Sequence, residues 1–337
     1  MSERPEDGWR DSRGQELDGS PGSDSSDCLG GGSGGVQRPG GALSGLVRRL
    51  EEQQLPSFMQ LPGLNPRPSR KAVHAVAQRL RSLLFPGYFD EARVSPEGYH
   101  YRLGALLDQV RCDLVEQVQR GLCFRGERAS QMSACRSQAE VVVDALLDAL
   151  PDIRRALAAD AEAAFRGDPA AGSHEEAIFC YPGMTAIVYH RLAHHLYRSQ
   201  VPMIARMIAE MAHSETGIDI HPGASIGEGL FIDHGTGVVI GETCVIGHNV
   251  RIYQGVTLGA RSFPLDASGH PIKGAPRHPT LEDDVVVYSG ATILGRITIG
   301  RGSQIGGNVW LTESVPPGSK ISQRKPRQEG FEEGAGI

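Results

Sequence analysis

The sequence predicts two architectures in series, an α-helical domain followed by a parallel β-helix. Apolar residues recur at three- and four-residue spacing up to about Glu215, and a strict period of six then replaces that pattern. Composition points the same way. Glycine accounts for 43 of the 337 residues and aromatics for only 6%. This disfavours an aromatic-rich sandwich and favours tight-turned repeats together with long flexible stretches.

The first 41 residues hold 11 glycines, many Ser and Asp, and almost no large apolar side chains. Such a segment buries too little surface to offset the entropy of ordering it, so residues 1–42 are expected to be a disordered extension. From Leu43 to Glu215 a helical domain is expected. Leu46, Leu50, Val73, Ala77, Leu80 and Leu84 fall on helical spacing. Val143, Leu146, Leu147, Leu150, Ile153 and Leu157 keep one face apolar. Pro151 fits best in the first turn of a helix, which predicts two successive helices there. Ala186 to His213 reads as helix broken near Pro202.

The period of six then runs through Ile220, Ile226, Ile232 and Val238, and again through Ile240, Ile246, Ile252 and Leu258. It returns at Leu281, Val287, Ile293, Ile299, Ile305 and Leu311. Gly follows the aliphatic at 227, 241, 247, 259, 300 and 306, as corners of a β-helix require. Residues 216–317 are therefore assigned to the solenoid. Two interruptions stand out: a two-residue slip between Val238 and Ile240, and the stretch 260–280, which carries four prolines and fits no repeat. An insertion leaves a solenoid as a loop, where function commonly lies. Residues 318–337 read as a flexible tail.

A formal charge of −6 supplies no global basic field for nucleic acid. No apolar run reaches membrane-spanning length, and Met1 to Arg13 lacks the apolar core of a secretory signal. The six cysteines, at 28, 112, 123, 135, 180 and 244, follow no framework spacing, so reduced thiols and a cytoplasmic location are expected.

Solenoids of this kind host acyltransferases, metal-dependent hydratases and inert scaffolds, so the site must decide. His234 lies between an aliphatic corner and the register slip, where an imidazole would face outward and could serve as a general base. Asp219 precedes it by 15 residues, close to one coil, and is the candidate carboxylate partner. Arg277 and His278 end the excluded loop, and Arg277 could clamp a carboxylate. A zinc site would need converging imidazoles; His190, His194 and His195 sit in the helical block and read as packing or surface residues, so no catalytic metal is expected. Cys180 and Cys244 could carry an acetyl group in principle, but Cys244 occupies a packed repeat position, and direct transfer is favoured.

The run Gly217-Ile-Asp-Ile-His-Pro-Gly-Ala-Ser-Ile-Gly227, with Ile232-Asp-His-Gly-Thr-Gly-Val-Val-Ile-Gly-Glu-Thr243, resembles the serine O-acetyltransferases, a hexapeptide-repeat acyltransferase family. Tyr253-Gln-Gly-Val-Thr-Leu-Gly259, Arg277-His-Pro279 and Gly290-Ala-Thr-Ile-Leu-Gly295 extend the likeness, in its longer-loop bacterial form. The resemblance implies a left-handed solenoid, acetyl-CoA as co-substrate and L-serine as acceptor. It implies His234 and Asp219 as a general-base dyad, and Asp168, Pro169, Asp233, Arg277 and His278 as the serine pocket. It assigns the pantetheine groove to Gly259, Ala260, Ser289 and Gly290. It further implies trimers or paired trimers, feedback by L-cysteine, and docking of the terminal Ile337 into O-acetylserine sulfhydrylase. The alternatives are transfer to another hydroxyl, of homoserine or a sugar, and an idle scaffold that binds a partner through its tail. The carboxylate–arginine pair favours a zwitterion over the first, and His234 with Asp219 argues against the second.

Overall fold

The change of period appears in the backbone as a change from helix to stacked short strands. The computed structural model describes residues 40–54, 56, 67–89, 95–123 and 132–323. The chain divides into two units, Met1–Leu61 and Pro62–Ile337. In the first, helix α1 (Gly40–Glu51) presents Leu43, Leu46, Val47 and Leu50 as an exposed stripe.

The second unit opens with α2 (Arg70–Leu84), where the Ser69 hydroxyl accepts the Ala72 amide as an N-cap. Helices α3 (Pro96–Cys123), α4 (Met132–Gly167), α5 (His174–Cys180), α6 (Pro182–Arg198) and α7 (Pro202–Thr216) follow. The expected break at Pro151 is absent: α4 is one helix with the proline inside it. Pro151 sits on the solvent face, where α4 can bend without disturbing the packed stripe through Ile153 and Leu157. The break at Pro202 is real, with that residue opening α7. The cysteines need a correction as well. Cys123, ending α3, is disulfide-bonded to Cys135 in the first turn of α4, while Cys112, Cys180 and Cys244 are free.

Gly217 (φ 70°) ends α7 in the left-handed conformation that favours glycine, and the chain enters the solenoid. One face stacks β1 (Asp219–Ile220), β4 (Val239–Ile240), β7 (Thr257–Gly259), β10 (Thr292–Leu294) and β13 (Trp310–Leu311). The second stacks β2 (Ser225–Ile226), β5 (Val245–Ile246), β8 (Thr280–Leu281) and β11 (Thr298–Ile299). The third stacks β3 (Phe231–Asp233), β6 (Arg251–Tyr253), β9 (Val286–Val287), β12 (Gln304–Ile305) and β14 (Lys320–Ile321). Every named pairing is parallel, and the solenoid is left-handed, against the usual crossover hand. Because β14 pairs with β12, the coils continue past residue 318, where the tail was expected to begin.

Register explains both interruptions. Ile220 pairs with Ile240, 20 residues on, and Ile240 with Leu258, 18 on. The two extra residues of the first coil lie in the corner after β3, beside His234. Leu258 pairs with Ile293, 35 residues on, because 260–280 loops out between β7 and β8. The stacked Ile220, Ile240, Leu258 and Ile293 are each at most 4% exposed. Burial of each such side chain contributes about 1.5–3 kcal/mol.

Helices and solenoid are joined by a buried ion pair. Asp160 of α4 is fully buried and receives Arg191 of α6 through two bonds of 2.7 and 2.8 Å. The same guanidinium donates to the Gly227 carbonyl (2.9 Å), and the Leu230 amide donates to Asp160 (2.9 Å). Two helices are thereby fixed to the coil that carries His234.

Candidate active site

Two groups of polar side chains lie on two different corners of the solenoid. The first occupies the lengthened corner after β3. His234 has φ 56°, in the left-handed region, and its side chain is 73% exposed. Gly235 behind it (φ 82°) lies so close to Ile218 that a Cβ would come within 2.4 Å of the Ile218 Cδ1. The corner can therefore turn only over a glycine, and the turn pushes the imidazole outward. The His234 Nδ1 is 3.8 Å from the half-buried Asp233.

Asp168 comes to the same place from the end of α4. Its carboxylate accepts the Tyr181 hydroxyl (2.5 Å) and the Ala170 amide (2.8 Å). These bonds, Tyr181 first, hold its pKa below the usual carboxylate range, and the nearby His234 and Arg251 add to the effect. Asp168 is thus an anion within electrostatic reach of the imidazole. Pro169 is exposed next to it.

The second group surrounds the foot of the excluded loop. Arg277 pairs with Glu242 at 2.5 Å, and the other oxygen of Glu242 accepts the Tyr197 hydroxyl at 2.7 Å. Thr243 organises the loop end, its hydroxyl accepting the amides of Arg277 (2.9 Å) and His278 (3.2 Å). The Thr243 amide donates to the His278 Nδ1 (3.1 Å), which places the proton of the neutral ring on Nε2. Burial, then Arg277, lowers the His278 pKa to about 4, so the ring is neutral near pH 7. It lies flat on Gly241, where a Cβ would come within 2.1 Å of the His278 Cδ2. Arg277 keeps a buried Nε without a partner.

The structure thus groups Asp168, Asp233 and His234, and separately Arg277 and His278. Among the described residues no hydrogen bond or ion pair joins Asp219 to His234; Asp219 lies instead with Glu210 and His213. Gly259 ends β7 and Ala260 follows it, while Ser289 and Gly290 precede β10, so these residues flank the β7–β10 pair from opposite ends. Burial pushes the Cys244 thiol up to about 12, which removes it as a nucleophile. His190 is buried and held well below its ordinary pKa, mainly by that burial. Sequence reasoning missed Tyr181, Tyr197, Glu242 and Thr243. The pair Glu242-Thr243 at a corner facing the loop was the available signal.

The chain is 53% identical over 302 residues to a plasmid serine acetyltransferase of Synechococcus elongatus, covering 88% of this chain and 95% of that one. The chain belongs to the serine acetyltransferase family. A relative in Mycobacterium tuberculosis, also named serine acetyltransferase, is 46% identical and covers 52% of this chain and 76% of its own. Among solved structures, serine acetyltransferase isoform 3 of Entamoeba histolytica, crystallised with cysteine, superposes with a TM-score of 0.65 at 34% identity. That match covers 86% of this chain and 93% of the other. No family model matches the chain. Membership of an acetyltransferase family implies acetyl-CoA as co-substrate. Among the described residues no helix is long and apolar enough to cross a membrane.

Proposed function

We propose that the enzyme transfers acetyl from acetyl-CoA to the L-serine hydroxyl by direct attack, with His234 as general base. The observation that carries this reading is the convergence of Asp168, Asp233 and the exposed His234 on one lengthened corner. His234 takes the hydroxyl proton as the serine oxygen attacks the thioester carbonyl. The tetrahedral adduct collapses, the carbon–sulfur bond breaks, and the imidazolium returns the proton to the departing thiolate. The products are O-acetyl-L-serine and CoA. Asp219, at the start of the coil that His234 closes, is the carboxylate assigned to steady the imidazolium. It pairs in register with Val239, five residues beyond His234.

Serine is a zwitterion and asks for opposite charges. The anionic Asp168 and Asp233 take the ammonium, and Arg277 with the Nε2–H of His278 takes the carboxylate. These groups sit on different corners of one solenoid, so the complete pocket forms between neighbouring solenoids of a trimer, or of paired trimers. Gly259, Ala260, Ser289 and Gly290 line the path of the pantetheine arm. L-Cysteine presents the same ammonium and carboxylate and acts as feedback inhibitor, a reading supported by the cysteine-bound Entamoeba relative. Residues 324–337, with the terminal Ile337, lie outside the described residues. Their proposed partner is O-acetylserine sulfhydrylase, whose amino-acid carboxylate site would accept a chain-terminal carboxylate. The reaction is placed in the cytoplasm.

The test is release of CoA thiol with serine, homoserine and sugar acceptors, in the parent enzyme and in His234→Ala. Serine should be strongly preferred and the variant should lose most of the rate. A variant within a few-fold of the parent, or equal rates with all acceptors, would remove His234 or serine from the reading.

A further inference from the structure

Glu210 and His213 stand three residues apart at the end of α7, so both side chains leave the same helix face. The left-handed turn at Gly217 then folds Asp219 of β1 back against them. One ligand atom from each of the three lies within 4.8 Å of the other two. The His213 Nδ1 is 3.4 Å from the Glu210 Oε2. Two ligands at zinc bonding distance on a tetrahedron stand about 3.4 Å apart, so this edge is already at the right length.

The surroundings also fit an ion. Arg206 pairs with the Oε1 of Glu210, which fixes that carboxylate and leaves Oε2 turned to His213. The side chain of Asp219 makes no hydrogen bond or ion pair with the described residues, so its oxygens are free to ligate. Glu210 and Asp219 are half-buried and His213 is exposed, which leaves an open side for entry and for a retained water. One imidazole with two carboxylates suits divalent zinc and its neighbours better than magnesium, which prefers oxygen ligands alone. The Glu-x-x-His spacing is one that helices use repeatedly to present metal ligands.

We infer that Glu210, His213 and Asp219 form an inhibitory site for a divalent transition metal of the zinc class. Occupancy ties Asp219 to the ion and keeps it from reaching His234. The inhibitory half rests on the role proposed above for Asp219; the binding half does not.

The experiment uses the full-length enzyme freed of metal with EDTA, and compares the parent with His213→Ala and Glu210→Gln. Binding is measured by isothermal titration with Zn²⁺, and the site is read independently from the Co²⁺ absorption spectrum. Activity is followed by loss of thioester absorbance, which avoids thiol reagents. The parent should bind one Zn²⁺ per chain, and either substitution should weaken binding at least about tenfold. Zn²⁺ should inhibit the parent reversibly on chelation, and His213→Ala should need at least about tenfold more while keeping the parent's metal-free rate. No saturable binding, or binding unchanged by both substitutions, overturns the site. Binding that responds to the substitutions without any effect on turnover overturns the inhibitory half and removes Asp219 from the reaction. A metal-free parent that fails to acetylate serine defeats the proposed function and leaves the binding result to stand on its own.

Discussion

Replacing Asp160 with alanine should be the most damaging single change outside the site. The carboxylate is fully buried and holds Arg191 through two bonds. Removing one partner of a buried pair costs about 3–5 kcal/mol, because the other charge stays buried. The Leu230 amide loses its acceptor too, at about 1–3 kcal/mol. The two losses overlap, so a total of roughly 4–6 kcal/mol is expected. At roughly 2 °C per kcal/mol for a domain of this size, the melting temperature should fall about 8–12 °C. The assay is thermal melting by far-UV circular dichroism of the parent, Asp160→Ala, Arg191→Met and the double variant Asp160→Leu/Arg191→Met. The double variant should recover much of the loss, since it leaves no charge without a partner. A single variant melting within about 2 °C of the parent, or a double variant as unstable as the two single losses added, would refute the reasoning. Leu230 lies just before β3, so Asp160→Ala enzyme that remains folded should also show reduced kcat.

Four further outcomes follow from the site. His234→Ala should lower kcat by about 10²–10⁴, the usual worth of a general base, with melting unchanged. Arg277→Ala should weaken serine and cysteine together in steady-state kinetics; tight cysteine inhibition surviving the loss of serine affinity would separate the two sites. Gly241→Ala should displace the His278 ring and raise the KM for serine, while circular dichroism still reports the solenoid. Acid should destabilise the fold: the His278 pKa is lowered to about 4 from 6.5, so the unfolded chain binds more protons between those values. Its contribution is complete above about pH 6.5 and is lost as pH falls through that window, with His190 acting in the same direction. Melting temperature against pH should therefore rise across the window and flatten in His278→Gln.

The solenoid was legible because its signal is redundant: each coil repeats the same aliphatic position, and a slip or insertion shows as a break in register. The slip at Val238–Ile240 and the loop 260–280 therefore mark, in the sequence itself, the two corners at which polar side chains gather. Pro151 misled because a proline costs a helix one hydrogen bond, and only tertiary packing reveals that the loss falls on the solvent side. The Cys123–Cys135 bond was missed because its partners belong to different helices and share no spacing rule. Tyr181 and Tyr197 lie in the helical part and meet their carboxylates only through packing of helix on coil. Asp160 and Arg191 look like ordinary surface charges on amphipathic helices until burial is known.

The length of α4 gives its anchor a mechanical meaning. Its 36 residues make a rod of roughly 54 Å, with Asp168 just past one end and Cys135 near the other. If the rod pivoted at the disulfide end, a tilt of about one degree would carry Asp168 nearly 1 Å, enough to spoil a reacting geometry. Anchored at Asp160, only about 12 Å of overhang remains, and the same tilt moves the carboxylate about 0.2 Å. The fulcrum lies next to the working end, so whatever strains the far helices undergo, little of that motion reaches the Asp168 carboxylate proposed to hold the serine ammonium.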